Sequence, residues 1–96
     1  MKVGQIIADQ IGNRAFAMMG AKNLMLTENG LQWKVGRNAK GVTHITVTLH
    51  PSDTYIVKFQ KVTRKCNVTD IATLEGVYAD MLHTAIEQNT GMYLSL

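Results

Sequence analysis

A single cysteine, Cys66, leaves no partner for an internal disulfide and no thiol cluster for a metal, which suits a reducing compartment. There is only one proline, Pro51, and low-complexity tracts are missing, so the chain lacks the composition of a disordered segment. No apolar run approaches the roughly 20 residues that a membrane helix needs. Asp9 and Gln10 follow Met1-Lys2-Val3-Gly4-Gln5 too closely for a secretory signal, so the expected location is the cytoplasm, with no membrane partner. Acids are scarce in the middle of the chain, where Asp53 is the only one between Gly30 and Thr69.

What fills that stretch is positive charge. Lys34, Arg37, Lys40, Lys58, Lys61, Arg64 and Lys65 are seven of the ten basic residues, whereas Asp70, Glu75, Asp80 and Glu87 follow Cys66 with no base among them. A positive surface and a separate negative one point to a binding partner rather than to a reaction. Arg64 and Lys65 beside Cys66 would favour its thiolate, but a lone thiol at a strand end needs no function. Asn67-Val68-Thr69 has the form of a glycosylation sequon, which is incidental without secretion.

The 96 residues are enough for one small domain spanning 1–96. Val3, Ile6, Ile7 and Ile11 recur at helical spacing and Gly12-Asn13 closes the segment; Arg14 to Met19 is a short apolar run readable as helix or strand. From Leu24 the period becomes two. Leu24 to Thr27 and Leu31 to Val35 flank Glu28-Asn29-Gly30, where Asn-Gly predicts a tight hairpin with positive φ angles. Gly36 to Gly41 reads as a loop, Val42 to His50 and Thr54 to Thr63 as strands, and Pro51-Ser52-Asp53 as the turn between them.

Arg64 to Thr69 is expected to be a connection. Beyond it Ile71, Leu74, Tyr78, Met81, Leu82, Ala85 and Ile86 predict a helix, followed by an apolar tail, Met92-Tyr93-Leu94. The expectation is an α+β fold: a four-stranded antiparallel sheet with N-terminal and C-terminal helices packed on one face. Leu31, Trp33, Val35, Ile45, Val47, Leu49, Tyr55, Val57 and Phe59 would face those helices. Gln32, Lys34, His44, Thr46, Thr48, Ile56, Lys58 and Gln60 would form an open face edged by Arg37, Lys40, Lys61, Arg64 and Lys65. Sheets that read single-stranded RNA stack bases on exposed aromatics, but here the aromatics belong to the core, leaving charge alone to hold phosphates. Met18, Met19 and Met25 either fill the core or make an adaptable contact surface.

The histidines are dispersed. His44 and His50 lie about 20 Å apart at strand rise, too far to share a metal, and His83 stands alone on the last predicted helix. Gly36 to Gly41 has the glycine spacing of a phosphate loop, but Val42-Thr43 stands where Lys-Ser or Lys-Thr is needed. Ser52 and Cys66 have no local context of an activated nucleophile. No catalytic, metal or cofactor residues are therefore nominated, and the expectation is a protein that is not an enzyme.

Two stretches, Asn13-Arg14-Ala15-Phe16-Ala17-Met18-Met19-Gly20-Ala21-Lys22-Asn23 and Tyr78-Ala79-Asp80-Met81-Leu82, carry a likeness, with Thr90-Gly91-Met92-Tyr93 and Ser52 to Phe59 in keeping. Through them the chain resembles small uncharacterised proteins encoded by bacteriophages and other bacterial mobile elements. The resemblance implies a bacterial host cytoplasm and a non-enzymatic protein that binds host machinery, a host protein or protein–nucleic-acid complex, as a counter-defence, anti-CRISPR-type inhibitor. The charged residues themselves also suit a basic nucleic-acid-binding accessory protein using Lys34, Arg37, Lys40, Lys58, Lys61, Arg64 and Lys65. Exposed sheet edges and the apolar tail suit a third class, a homo-oligomeric structural or assembly protein.

Overall fold

The computed structural model describes residues 3–36, 38–65 and 67–91. Among them the chain forms helices α1 (Val3–Ile11) and α2 (Asn13–Met19), then strands β1 (Lys22–Thr27), β2 (Gly30–Lys34), β3 (His44–Leu49), β4 (Tyr55–Val62) and β5 (Val68–Val77). A 3-10 turn, Ala79–Met81, leads into helix α3 (Leu82–Thr90). All neighbouring strands are antiparallel and the sheet order is β1-β2-β3-β4-β5, so the α+β class holds with one strand more than expected.

The extra strand is β5, which replaces the expected connection and the first half of the expected last helix. Val68, Thr69, Ile71, Thr73 and Val77 suit an extended backbone. Two register shifts against β4 hide its alternation, one between Tyr55 and Val57 and one between Phe59 and Gln60. At the first, Gly76 takes φ 67, a left-handed conformation that glycine adopts without strain. Each bulge inserts a residue, so core-facing Ala72 and Leu74 are followed by Val77 rather than by residue 76. A gap of three imitates helical spacing. Ile71, Tyr78 and Met81, expected in a helix core, are instead 37%, 60% and 48% exposed.

The core residues of the middle strands alternate as expected. Leu31, Trp33, Val35, Ile45, Val47, Tyr55, Val57 and Phe59 are buried on one face and Leu49 packs at its margin. Ile7 and Ile11 of α1, Ala15, Phe16 and Met19 of α2, and Leu82, Ala85 and Ile86 of α3 cover that face; Ile6 does not join them. Phe16 meets Trp33 edge to face, with ring centroids 5.2 Å apart. Polar bonds tie the helices in place: Tyr55 donates its hydroxyl proton to Gln10 Oε1 at 2.8 Å, and His83 Nε2 lies 2.7 Å from the carbonyl of Ile11 at the end of α1.

Two turns arise by different means. At Pro51-Ser52 a four-residue turn closes from Asp53 N to His50 O at 3.0 Å, and Asp53 then takes φ 64. In the first hairpin the turn residues are Glu28 and Asn29, and neither Asn29 nor Gly30 has a positive φ. Gly30 is the first residue of β2, paired with both Thr27 and Thr48, and its lack of a side chain serves close packing rather than turn geometry.

Candidate functional site

Helices cover one face of the sheet, and the side chains of the other face form two continuous cross-strand rows. One row runs Lys22, Lys34, His44, Gln60, Asp70 and the next Met25, Gln32, Thr46, Lys58, Thr73. The residues expected on the open face, Gln32, Lys34, His44, Thr46, Thr48, Ile56, Lys58 and Gln60, are all partly or fully exposed. Asp70 joins them by accepting a 2.9 Å hydrogen bond from Gln60 Nε2.

Topology sorts the charges along the strand axis. Lys22 begins β1, Lys34 ends β2, Lys40 lies in the β2–β3 loop, Lys61 is near the end of β4, and Arg64 and Lys65 form the β4–β5 turn. In a meander these positions fall at the same end of the sheet. Lys58 stands midway along the open face, and Lys61 has the register parity of the helix-covered face, beyond the core. Arg37 lies outside the described residues, as do Cys66 and the tail from Met92.

The opposite end carries Glu28 in the first turn, Asp53 in the β3–β4 turn, Glu75 near the end of β5 and Asp80 just beyond it. The four acids that follow Cys66 do not lie on one helix. Asp70 and Glu75 lie on β5 and Asp80 in the 3-10 turn, leaving Glu87 alone on α3.

The basic end is built on an organised loop. Asn38 Nδ2 donates to the carbonyls of Gly36 at 3.0 Å and Val42 at 2.6 Å, while its Oδ1 accepts from the amides of Lys40 at 3.2 Å and Val42 at 3.0 Å. Gly36 N donates to Met19 O at 2.9 Å, anchoring the loop to the end of α2. A Cβ on Gly91 would stand 3.1 Å from Ala39 Cβ, which places the end of α3 against the same loop. Asn38→Ala removes all four side-chain bonds and is expected to cost about 1–3 kcal/mol, since two of the bonded groups are partly buried. Chemical denaturation measures that loss, and amide exchange should quicken first at Lys40 and Val42.

Beside this loop the β1–β2 register breaks between Lys22 and Met25, where Asn23 takes φ 56. The break opens a groove of about 490 Å³ lined by Asn23, Leu24, Met25, Gln32, Lys34 and His44 among others. His44 has its pKa lowered by partial burial and then by the Lys34 charge opposite it, and its Nδ1 lies 2.8 Å from Thr43 Oγ1. The groove thus joins a lysine, an uncharged imidazole at neutral pH, two amides and two aliphatic side chains.

The β3–β4 turn contains a contact that sequence order did not reveal. His50 Nδ1 lies 2.8 Å from Ser52 Oγ, which lies 2.9 Å from Thr54 Oγ1. The same Nδ1 accepts the Ser52 amide at 3.1 Å, so this nitrogen is engaged in closing an exposed turn. Among the described residues no three of His, Cys, Asp and Glu gather closely enough to hold a metal ion, and no helix is long and apolar enough to cross a membrane.

Of the seven basic residues nominated from sequence, Lys34, Lys40, Arg64 and Lys65 gather at the basic end with Lys61 beside them, and Lys58 stands apart on the open face. Lys22 was missed because it is distant in sequence and reaches Lys34 only through strand pairing. Comparison with family models, curated proteins and solved structures returned no match.

Proposed function

We propose that this chain is a non-enzymatic binding protein of a phage or other mobile element that occupies a surface on host machinery, as a counter-defence, anti-CRISPR-type factor would. The observation that carries this reading is the gathering of Lys22, Lys34, Lys40, Lys61, Arg64 and Lys65 at one end of a sheet whose open face is polar. Such an end is complementary to an acidic protein surface, and rim charges of this kind speed association and fix orientation. Two segments that carry the resemblance, 13–23 and 90–91, border the same end, at Gly36 and Ala39.

Direct contact with nucleic acid is the second reading, favoured by Lys58 standing on the open face in line with the basic end. Phe16, Trp33, Tyr55 and Phe59 are buried in the core and the exposed Tyr78 stands just past the end of β5, away from the basic end, so this binding would rest on phosphates and weaken steeply with salt. A pull-down of the tagged protein from host lysate, with and without nuclease, separates the two. Retention of one defined complex after nuclease supports the first reading; loss of every partner supports the second.

The quadruple variant K34Q/K40Q/R64Q/K65Q changes only exposed side chains and is expected to fold normally. It should lose the captured complex in the same pull-down. Undiminished capture would remove the basic end from the binding surface.

A further inference from the structure

The groove at the β1–β2 register break has a charged end and a neutral end. Lys34 and His44 line it and are direct partners across β2 and β3, and Lys22 stands opposite Lys34 on the other side. Three nitrogen-bearing side chains therefore follow one another in one row of the open face. Facing lysines repel, and none of the described residues that line the groove is acidic. The acid of that row, Asp70, lies two strands beyond His44 and is held by Gln60. An anion seated over the row would supply the counter-charge that the sheet does not.

The other end of the groove is built differently. Two residues along β2, about 7 Å at strand rise, Gln32 faces Met25, and Asn23 and Leu24 of the register break adjoin them. Lysines only donate hydrogen bonds, whereas the Asn23 and Gln32 carboxamides both donate and accept. Leu24 and Met25 add apolar surface, being 49% and 60% exposed. This end suits a flat, neutral body with hydrogen-bonding groups along its edge.

We propose that the groove binds a nucleoside 5′-monophosphate, its phosphate over the Lys22, Lys34 and His44 row and its base against Leu24, Met25 and the two carboxamides. The ribose bridges the distance between the two rows. A phosphate monoester carries a charge of about −1.5 to −2 at neutral pH, which two lysines match. An internal phosphodiester carries a single charge and leaves one lysine uncompensated. His44 adds a donor without adding charge: with the Thr43 hydroxyl donating to its Nδ1 at 2.8 Å, the neutral ring donates from Nε2. The groove volume of about 490 Å³ is that of a small-ligand site. The same phosphate is offered by a free nucleotide and by the 5′-phosphorylated end of a single strand.

Isothermal titration calorimetry of the full chain with AMP, GMP, CMP and UMP tests the proposal. At least one should bind about tenfold tighter than its own nucleoside and than inorganic phosphate. Lys34→Gln should weaken that binding about tenfold. Lys65→Gln, which changes the charge of the basic end outside the groove, should leave it within about twofold. His44→Phe and Gln32→Leu should also weaken it, and because neither alters the charge of a lysine, that loss is separable from any loss of the captured host complex. A trinucleotide that binds more tightly than the mononucleotide only while it keeps its 5′ phosphate assigns the site to a strand end; weaker or equal binding assigns it to the free nucleotide. The proposal is overturned if none of the four binds at about 1 mM, or if the nucleotide binds no more tightly than phosphate or nucleoside. Binding that is unchanged in Lys34→Gln, or a trinucleotide bound as tightly without its 5′ phosphate, overturns it equally.

Discussion

Replacing Gly30 by alanine is expected to be among the most damaging single changes in this protein. A Cβ there would fall on the carbonyl oxygen of Val47 and within 2.9 Å of Thr48 Cα, both backbone atoms of the neighbouring strand. The other side is crowded too, because a Cβ on Gly4 of α1 would fall on the Gly30 carbonyl oxygen. Side chains relieve overpacking by changing rotamer, but paired backbone cannot. The loss should reach about 3 kcal/mol or more, lowering the melting temperature by about 15 °C for a chain of this size. Gly41→Ala is the informative comparison: Gly41 has a positive φ, 72°, which Gly30 does not, but nothing stands within 4 Å of its Cβ position. That variant should lose only about 1 kcal/mol. If urea unfolding shows Gly30→Ala to be no worse than Gly41→Ala, the close approach of β2 and β3 is not what the structure describes.

Trp33→Ala should be comparably severe, for the opposite reason. Trp33 is fully buried and packs against Phe16, so truncation opens a cavity and costs about 3–5 kcal/mol. Small domains have about 0.05–0.15 kcal/mol of stability per residue, so this loss removes much of the total. Trp33→Phe should be far milder. The indole Nε1 is buried without a hydrogen-bond partner among the described residues, so the native tryptophan carries a desolvation cost that phenylalanine avoids. Equilibrium unfolding should place Trp33→Phe at least 2 kcal/mol above Trp33→Ala, with the smaller ring still filling most of the site. Equal losses would mean that ring packing against Phe16 contributes little.

The middle of the sheet was readable from sequence because β2, β3 and β4 each bury one side chain in two and contain no bulge between Leu31 and Val47 or between Ile45 and Phe59. β5 was unreadable for a physical reason. Ile71 and the Glu75-Gly76 pair interrupt its alternation, and the spacing from Leu74 to Val77 is one that a helix would also produce. The Asn-Gly pair does stand at a hairpin, but not for the positive φ angles that the pair predicts. Asn-Gly marks a turn through local conformation, whereas Gly30 answers a demand from β3, which no local pattern contains. The basic residues were visible singly. Their common location follows from strand order, which also brings Lys22 beside Lys34. The acids are spread over three elements because the stretch from Ile71 to Val77, which has helical spacing in the sequence, is strand, and the last α-helix begins only at Leu82.

The strand order also governs how the chain assembles during synthesis. Each strand pairs with the one made just before it, so every closure between strands spans a short loop and needs little ordering of distant segments. The N-terminal helices, made first, cannot complete their packing until Tyr55 of β4 reaches Gln10 and His83 of α3 reaches Ile11. Until β5 is added, β4 is the growing edge, with Val57 and Phe59 incompletely covered. A ribosome-stalled chain ending near Lys65 should therefore depend on chaperones, and a chain extended past Thr90 should be released from them.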